Sequence, residues 1–238
     1  MYLGVDEAGK GPVLGPMVAA AVLADPADLP VDVDDSKRIA PSRRESIEGA
    51  IREVDDVAVG VAFVEPAEID RSDTDMNTLT VCGQARAIRA ALDARGDTVA
   101  ADLDEPVRVV ADAGDTSEAR FARRLDKFVA APDPDAGDGA DLPAVDVSAF
   151  HGADEDDSVV GAASVVAKVA RDERMAAIDA DHPAYDDLGS GYPSDPATRE
   201  FLRAYVDDHG DVPDCARRSW ATCDDLLAAA EQSGLDEF

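Results

Sequence analysis

Met1-Tyr2-Leu3-Gly4-Val5-Asp6-Glu7-Ala8-Gly9-Lys10-Gly11-Pro12 opens the chain with an apolar run that ends in two adjacent carboxylates and a glycine-flanked lysine. Met1 to Val5 reads as a strand. Carboxylates at the mouth of a buried strand are costly to desolvate unless positive charge meets them. A divalent cation held by oxygen ligands is the usual partner. Gly9 and Gly11 let backbone approach a ligand closely, and Lys10 keeps a cation beside it.

Outward from this stretch, Val18 to Leu23 is a second, wholly apolar strand. Pro41-Ser42 opens a helix, with a capping box from Ser42 to Glu45 and an apolar stripe of Ile47, Ala50, Ile51 and Val54. Val57 to Val64 is a third strand, with Val57, Val59, Val61 and Phe63 on one side. Leu79 to Leu92 is helical, Val107 to Ala111 is a buried strand, and Asp115 to Glu118 starts a capped helix running to Leu125. Val145 to Phe150 is a further strand, followed by a long helix from about Val159 to Ile178. Asp195 as N-cap and Pro196 at the first helical position start another helix, and Trp220 to Glu231 is helical. Strands that come first and then alternate with helices predict an α/β domain with a mixed sheet. Residues 129–142 form an acidic loop. A calcium site from Asp133, Asp135 and Asp138 fails on spacing, because Gly137 takes the fifth ligand position and no glutamate closes the loop.

Five blocks in order carry a resemblance. They are Asp6-Glu7-Ala8-Gly9-Lys10-Gly11-Pro12; Asp35-Ser36-Lys37 with Arg43-Arg44-Glu45; Val109-Val110-Ala111-Asp112-Ala113; Ala153-Asp154 with Val159-Val160-Gly161-Ala162-Ala163-Ser164, Ala167-Lys168-Val169 and Arg171-Asp172; and Gly189-Ser190-Gly191-Tyr192-Pro193-Ser194-Asp195-Pro196. Together they resemble ribonuclease HII, its archaeal branch most. The resemblance implies a ribonuclease H-like mixed sheet flanked by helices, a catalytic domain over 1–195, and a C-terminal helical segment over 196–238. It also implies an endonuclease that hydrolyses the RNA strand of RNA–DNA hybrids and incises at single ribonucleotides in duplex DNA, leaving 5′-phosphate and 3′-hydroxyl ends. Ribonuclease HIII is similar but carries an extra N-terminal domain, for which a first carboxylate at residue 6 leaves no room.

Phosphodiester hydrolysis by in-line attack needs a nucleophilic water, a stabilised leaving oxygen and neutralised charge, and two divalent ions about 3.5–4 Å apart supply all three. The resemblance assigns two ions, Mg²⁺ or Mn²⁺, to Asp6, Glu7, Asp112 and Asp154. Adjacent strand residues point to opposite faces, so Glu7 joins Asp6 only if the strand ends or twists there; otherwise it is a solvated strand end. Asp112 also reads as a helix first-turn acid. Counting back from Val159-Val160 favours Asp154, with Asp156 and Asp157 as alternatives, and the family's aromatic-proline pair is Asp157-Ser158 here. The resemblance gives Ser36, Lys37, Ser164 and Lys168 to substrate, the lysines to phosphates. It gives the ribose 2′-hydroxyl, which separates RNA from DNA, to Gly9, Lys10, Gly11 and Tyr192. By itself Tyr192 also reads as a turn aromatic packed on the core. His151, three residues before Asp154, lines the site or lies on the surface, and Trp220 anchors the tail.

Net charge is −30 and the pI about 4.1, the wrong sign for gripping phosphates. The acid is dispersed, however, as in a surface adaptation. Of four lysines, Lys10, Lys37 and Lys168 fall inside the blocks and only Lys127 outside. Such a composition suits molar salt, where the Debye length falls to about 3 Å, and it implies a halophilic source. The competing reading is a non-catalytic acidic module that mimics DNA or binds cations. Cys82, Cys215 and Cys223 have no metal-ligand spacing and read as reduced thiols. No signal peptide or membrane span is evident, so a cytoplasmic monomer is expected. Finally, Gln232, Leu235 and Phe238 are spaced like the peptide by which repair enzymes dock on the sliding clamp PCNA; a frayed amphipathic tail is the equal alternative.

Overall fold

The structure, a computed structural model, describes residues 1–30, 40–95, 106–131 and 142–236. Strands β1 (Tyr2–Ala8), β2 (Met17–Ala24), β3 (Ala58–Val64), β4 (Val107–Asp112) and β5 (Val145–Phe150) form one sheet in the order β3-β2-β1-β4-β5. The helices are α1 (Pro41–Arg52), α2 (Pro66–Ile69), α3 (Met76–Arg95), α4 (Glu118–Ala130), α5 (Ala153–Asp156), α6 (Ser158–Ala180), α7 (Pro196–His209) and α8 (Ala221–Asp236). β2 runs antiparallel to β1, whereas β4 is parallel to both β1 and β5. The mixed α/β sheet expected from the strand and helix order is therefore present.

The chain divides into two compact units, interleaved along the sequence. The first comprises Met1–Ala8, Val18–Phe63 and Met76–Ala170, and holds the sheet. Side-chain alternation along its strands feeds two cores. Leu3, Val5, Ala19, Ala21 and Leu23 pack with Val81, Ile88, Phe121 and Leu125 of α3 and α4. Ala20, Val22 and Ala24 pack with Ile47 and Ile51 of α1 and with Val159, Ala163 and Val166 of α6. β2 is buried along its whole length because helices cover both its faces, which explains its unbroken apolar run. α6 approaches so closely that a Cβ on Gly4 would overlap the Val159 carbonyl.

The second unit comprises Gly9–Met17, Val64–Asp75 and Arg171–Phe238. Val13, Leu14, Met175, Ile178, Leu188, Phe201, Leu202, Ala216, Cys223 and Leu226 form its core. Asp195 caps α7 through the Ala197 N–H at 3.1 Å, with Pro196 next, as expected. All three cysteines are free, and burial pushes the Cys215 thiol up to about 12.

Two local expectations are corrected, and a third is made specific. β1 does not stop at Val5, because pairing with β2 continues through Glu7↔Ala19 and Ala8↔Val18. Ser42 forms no capping box: Ala40 is the N-cap, and Pro41, with its pre-set φ, takes the first helical position. The cap of α4 is Ser117, which accepts from the Arg120 N–H at 3.4 Å, while Asp115 accepts from the Arg120 side chain. The short helices α2 and α5 carry no periodicity from which to foresee them.

The close approach at Gly4 gives a direct test. Gly4→Val should destabilise the fold by about 3 kcal/mol in denaturant unfolding, the upper range for overpacking. Gly49→Ala, on a helix position with open space around it, should stabilise it by about 1 kcal/mol.

Candidate active site

β1 and β4 pair in register from Leu3↔Val109 to Val5↔Ala111 and no further. The next residue on each strand is a carboxylate, Asp6 and Asp112. Both lie at the carboxyl ends of adjacent parallel strands, where ligand crevices of open α/β sheets form.

Asp6 is 5% exposed. Its Oδ1 accepts from the Glu7 N–H at 2.7 Å, and the Ser164 hydroxyl donates to it. Ser164, fully buried on α6, in turn accepts from Lys168 Nζ at 2.7 Å. Glu7 points to the opposite face, where Gln84 Nε2 on α3 donates to its Oε2 at 2.7 Å. The same amide nitrogen donates to the Asp112 carbonyl at 3.1 Å. Gln84 thus ties the ends of β1 and β4 together beyond the point where their pairing stops. The Glu7 side chain thus stays on the face opposite Asp6 and acts on the Asp6 carboxyl through its charge.

Asp112 Oδ1 accepts from the Ala153 N–H at 2.9 Å, fixing the start of α5. Of the three acids in question, Asp154 is buried and Asp156 is exposed. Asp157 is occupied as a helix cap: its Oδ1 accepts from Val159 and Val160 N–H at 3.0 and 3.1 Å, and its Oδ2 from the Tyr2 hydroxyl at 2.8 Å. Capping explains why this chain can carry Asp157-Ser158 at the entry to α6.

The electrostatics of this cluster are unbalanced. The Asp6 carboxyl is held well above the usual carboxylate range, first by burial and then by the negative charge of Glu7, with Asp112 adding to it; the Ser164 hydrogen bond works the other way. Hard carboxylate oxygens with surplus negative charge match a divalent cation. Among the described residues, no three His, Cys, Asp or Glu side chains are gathered closely enough to hold a metal ion as they stand. Ionised carboxylates do not close on one another unless a cation or a shared proton lies between them.

A second cluster lies within the other unit. Gly9 adopts φ +82°, and a Cβ there would overlap the Arg171 side chain. Tyr192, between Gly191 at φ +80° and Pro193, is 43% exposed. A Cβ on Gly11 would sit 3.7 Å from its ring. The ring also lies over the guanidinium of Arg171 at 5.8 Å. Its exposure argues against the core-packing reading. Arg217 is 0% exposed and donates to the carbonyls of Gly15 (3.0 Å), Lys10 (2.9 Å) and Gly9 (2.5 Å). Trp220 Nε1 donates to the Gly11 carbonyl at 3.3 Å. Trp220 therefore braces the glycine loop, a role beyond anchoring the tail.

His151 is exposed and bonded to the Asp115 carbonyl at 2.7 Å, with Glu118 beside it. Ser36 and Lys37 lie outside the described residues, as do Asp133, Asp135, Asp138 and Phe238. Gln232 and Leu235 lie in α8. Gln84, Arg217 and the loop contact of Trp220 were not anticipated. Each acts through residues distant in sequence, and a buried Gln in the middle of a helix is the only local hint.

These features define a cluster of carboxylates at the ends of two parallel strands of a mixed α/β sheet. A ribonuclease HII family model matches residues 3–223. The curated ribonuclease HII of Haloarcula marismortui is 56% identical over the full length of both chains. Among solved structures, ribonuclease H2 of Pyrococcus horikoshii matches with TM-score 0.74 and 31% identity, covering 97% of this chain and 98% of that one. The ribonuclease HII of Archaeoglobus fulgidus, solved as a complex with PCNA, matches with the same score and identity over the whole of both chains. The chain belongs to the ribonuclease HII family and is a metal-dependent endoribonuclease. It is not the non-catalytic acidic module that its charge alone allowed.

The imbalance at Asp6 has a measurable consequence. A carboxyl whose folded pKa is raised destabilises the fold at neutral pH, and the penalty fades as pH falls through that raised value. Asn at position 6 keeps an acceptor for Ser164 and for the Glu7 N–H. In chelator at neutral pH, Asp6→Asn should melt about 3 °C higher than the parent, the shift that ~1 kcal/mol produces in a chain of this size. A lower melting temperature would contradict the reading.

Proposed function

We propose that the chain hydrolyses the RNA strand of RNA–DNA hybrids and incises at single ribonucleotides in duplex DNA, leaving 5′-phosphate and 3′-hydroxyl ends. The observation that carries this is the buried carboxylate of Asp6, crowded by Glu7 and Asp112 at the ends of two parallel strands. Asp6, Glu7, Asp112 and Asp154 would hold two divalent cations, Mg²⁺ or Mn²⁺; burial favours Asp154 over Asp156, and the cap at α6 occupies Asp157. Bound there, such ions supply an activated water, a stabilised leaving oxygen and charge neutralisation.

The chain's own groups do the rest. Gln84 orients Glu7, and Ser164 with Lys168 orients Asp6. Lys168 and Lys37 contribute positive charge toward phosphates, with Ser36 beside Lys37. Gly9, Lys10, Gly11 and the exposed ring of Tyr192 read the ribose 2′-hydroxyl. Among the described residues no helix is long and apolar enough to cross a membrane, which fits a cytoplasmic monomer acting in DNA replication and repair. The dispersed acid and a close relative from a halophile support work in molar salt. Gln232, Leu235 and Phe238 would dock on the sliding clamp, a reading supported by the Archaeoglobus relative solved with PCNA.

In molar KCl, a duplex with one ribonucleotide should be cut only when Mg²⁺ or Mn²⁺ is present. Single changes of Asp6, Asp112 or Asp154 to Asn, or of Glu7 to Gln, should lower the rate by at least about 10³-fold while the fold persists, since a misplaced ion removes several kcal/mol of transition-state stabilisation. Normal cleavage by Asp154→Asn would move that role to Asp156.

Deleting residues 232–238 should abolish binding to PCNA, measured by surface plasmon resonance, and leave cleavage of free substrate unchanged. Equal binding by the truncated chain would end the docking proposal.

A further inference from the structure

The Gly9-Lys10-Gly11 segment carries two glycines, and glycine loses more conformational freedom on ordering than any other residue. A loop of this composition holds one shape only if its backbone groups are tied. Arg217 supplies three ties, to the carbonyls of Gly9, Lys10 and Gly15, and Trp220 supplies the fourth, to Gly11. The two side chains also brace each other, with the Arg217 guanidinium 5.1 Å from the Trp220 ring centroid.

Arg217 is an expensive residue to use merely as filler. It is fully buried, and among the described residues its hydrogen-bond acceptors are main-chain carbonyls. Burial, together with the nearby charge of Arg171, pushes its guanidinium down to about 10. An apolar side chain of similar volume would fill the space without desolvating a charge.

Peptide geometry gives the clamp its direction. In a trans peptide the carbonyl of one residue and the N–H of the next point opposite ways. With the Gly9 and Lys10 carbonyls drawn to Arg217, the N–H groups of Lys10 and Gly11 are turned away from it. Drawing the Gly11 carbonyl to Trp220 turns no further donor outward, because Pro12 has no N–H. The donors of Lys10 and Gly11 are thus both turned away from Arg217, and the Tyr192 ring lies 3.7 Å from where a Cβ on Gly11 would sit.

We propose that Arg217 and Trp220 are positioning residues for ribose recognition, holding the Gly9-Lys10-Gly11 backbone so that its N–H groups face the 2′-hydroxyl of the substrate. This rests on the reading that the glycine loop and Tyr192 recognise that hydroxyl.

The test compares dissociation constants, by fluorescence anisotropy in chelator and molar KCl, for a duplex with one ribonucleotide and for the same duplex in all-DNA form. The parent should prefer the ribonucleotide, and Tyr192→Ala should lose preference. Arg217→Lys, which keeps charge but cannot reach three carbonyls, and Trp220→Phe, which keeps the ring but loses the N–H, should each reduce the preference by about fivefold, the factor one lost hydrogen bond corresponds to. Their affinity for all-DNA duplex should stay within about twofold of the parent, inside the usual spread for a distant site. If both variants keep the parent's preference and only melt earlier, the clamp is structural and the proposal fails. If Arg217→Lys does not fold, Trp220→Phe decides alone. A parent with no preference, or a Tyr192→Ala variant that keeps it, overturns the reading of the loop and the proposal with it.

Discussion

A buried negative charge among other negative charges is the constraint around which the first unit is organised. Asp6 sits where β1 leaves its pairing with β4, and among the described residues its carboxylate loses water to neutral donors and neighbouring negative charge. The surrounding residues hold the arrangement in place: Ser164 and the Glu7 amide from one side, Gln84 across the strand ends, and the Ala153 amide on Asp112. Each interaction fixes a carboxylate without neutralising it. On the proposed function, a divalent ion would relieve the remaining electrostatic deficit, and stability given up at Asp6 would be exchanged for metal binding.

The same logic with opposite sign runs through the second unit. There the buried charges are cations, Arg171 and Arg217, and their partners are carbonyl dipoles of the glycine loop and of Leu14 and Ser190. Among the described residues, Arg171 Nε has no hydrogen-bond partner. Buried polar groups of this kind are tolerated where geometry matters more than stability. On the exterior, a net charge of −30 would repel both itself and phosphates in dilute buffer. In molar salt that repulsion is screened beyond about 3 Å, and contacts made by direct approach survive. On the proposed function, the lysines kept at positions 10 and 168 would make contacts of that short-range class.

Much of this was legible in the chain. The apolar run before Asp6, the unbroken β2 segment, the Asp195-Pro196 start of α7 and the five ordered blocks all follow from local pattern. Other features were not legible because they exist only once distant segments meet. Gln84 acts on Glu7 from 77 residues away, and Arg217 acts on Lys10 from 207 residues away. One helix start was misread where two caps competed. Ser42 lost to Ala40-Pro41 because proline pre-sets the first helical turn. Spacing leaves Asp154, Asp156 and Asp157 equivalent, because the burial of Asp154 and the capping role of Asp157 exist only in the fold.

The central claim, that the crowded carboxylates around Asp6 are a divalent-cation site, is tested most directly by counting bound Mn²⁺. Electron paramagnetic resonance of free Mn²⁺ in molar KCl, where scattered surface acids are screened, measures this without substrate. The account predicts saturable binding by the parent that is weakened at least about tenfold in Asp6→Asn and in Asp112→Asn, as loss of a charged ligand requires. Binding that is identical in the parent and in both variants would contradict it.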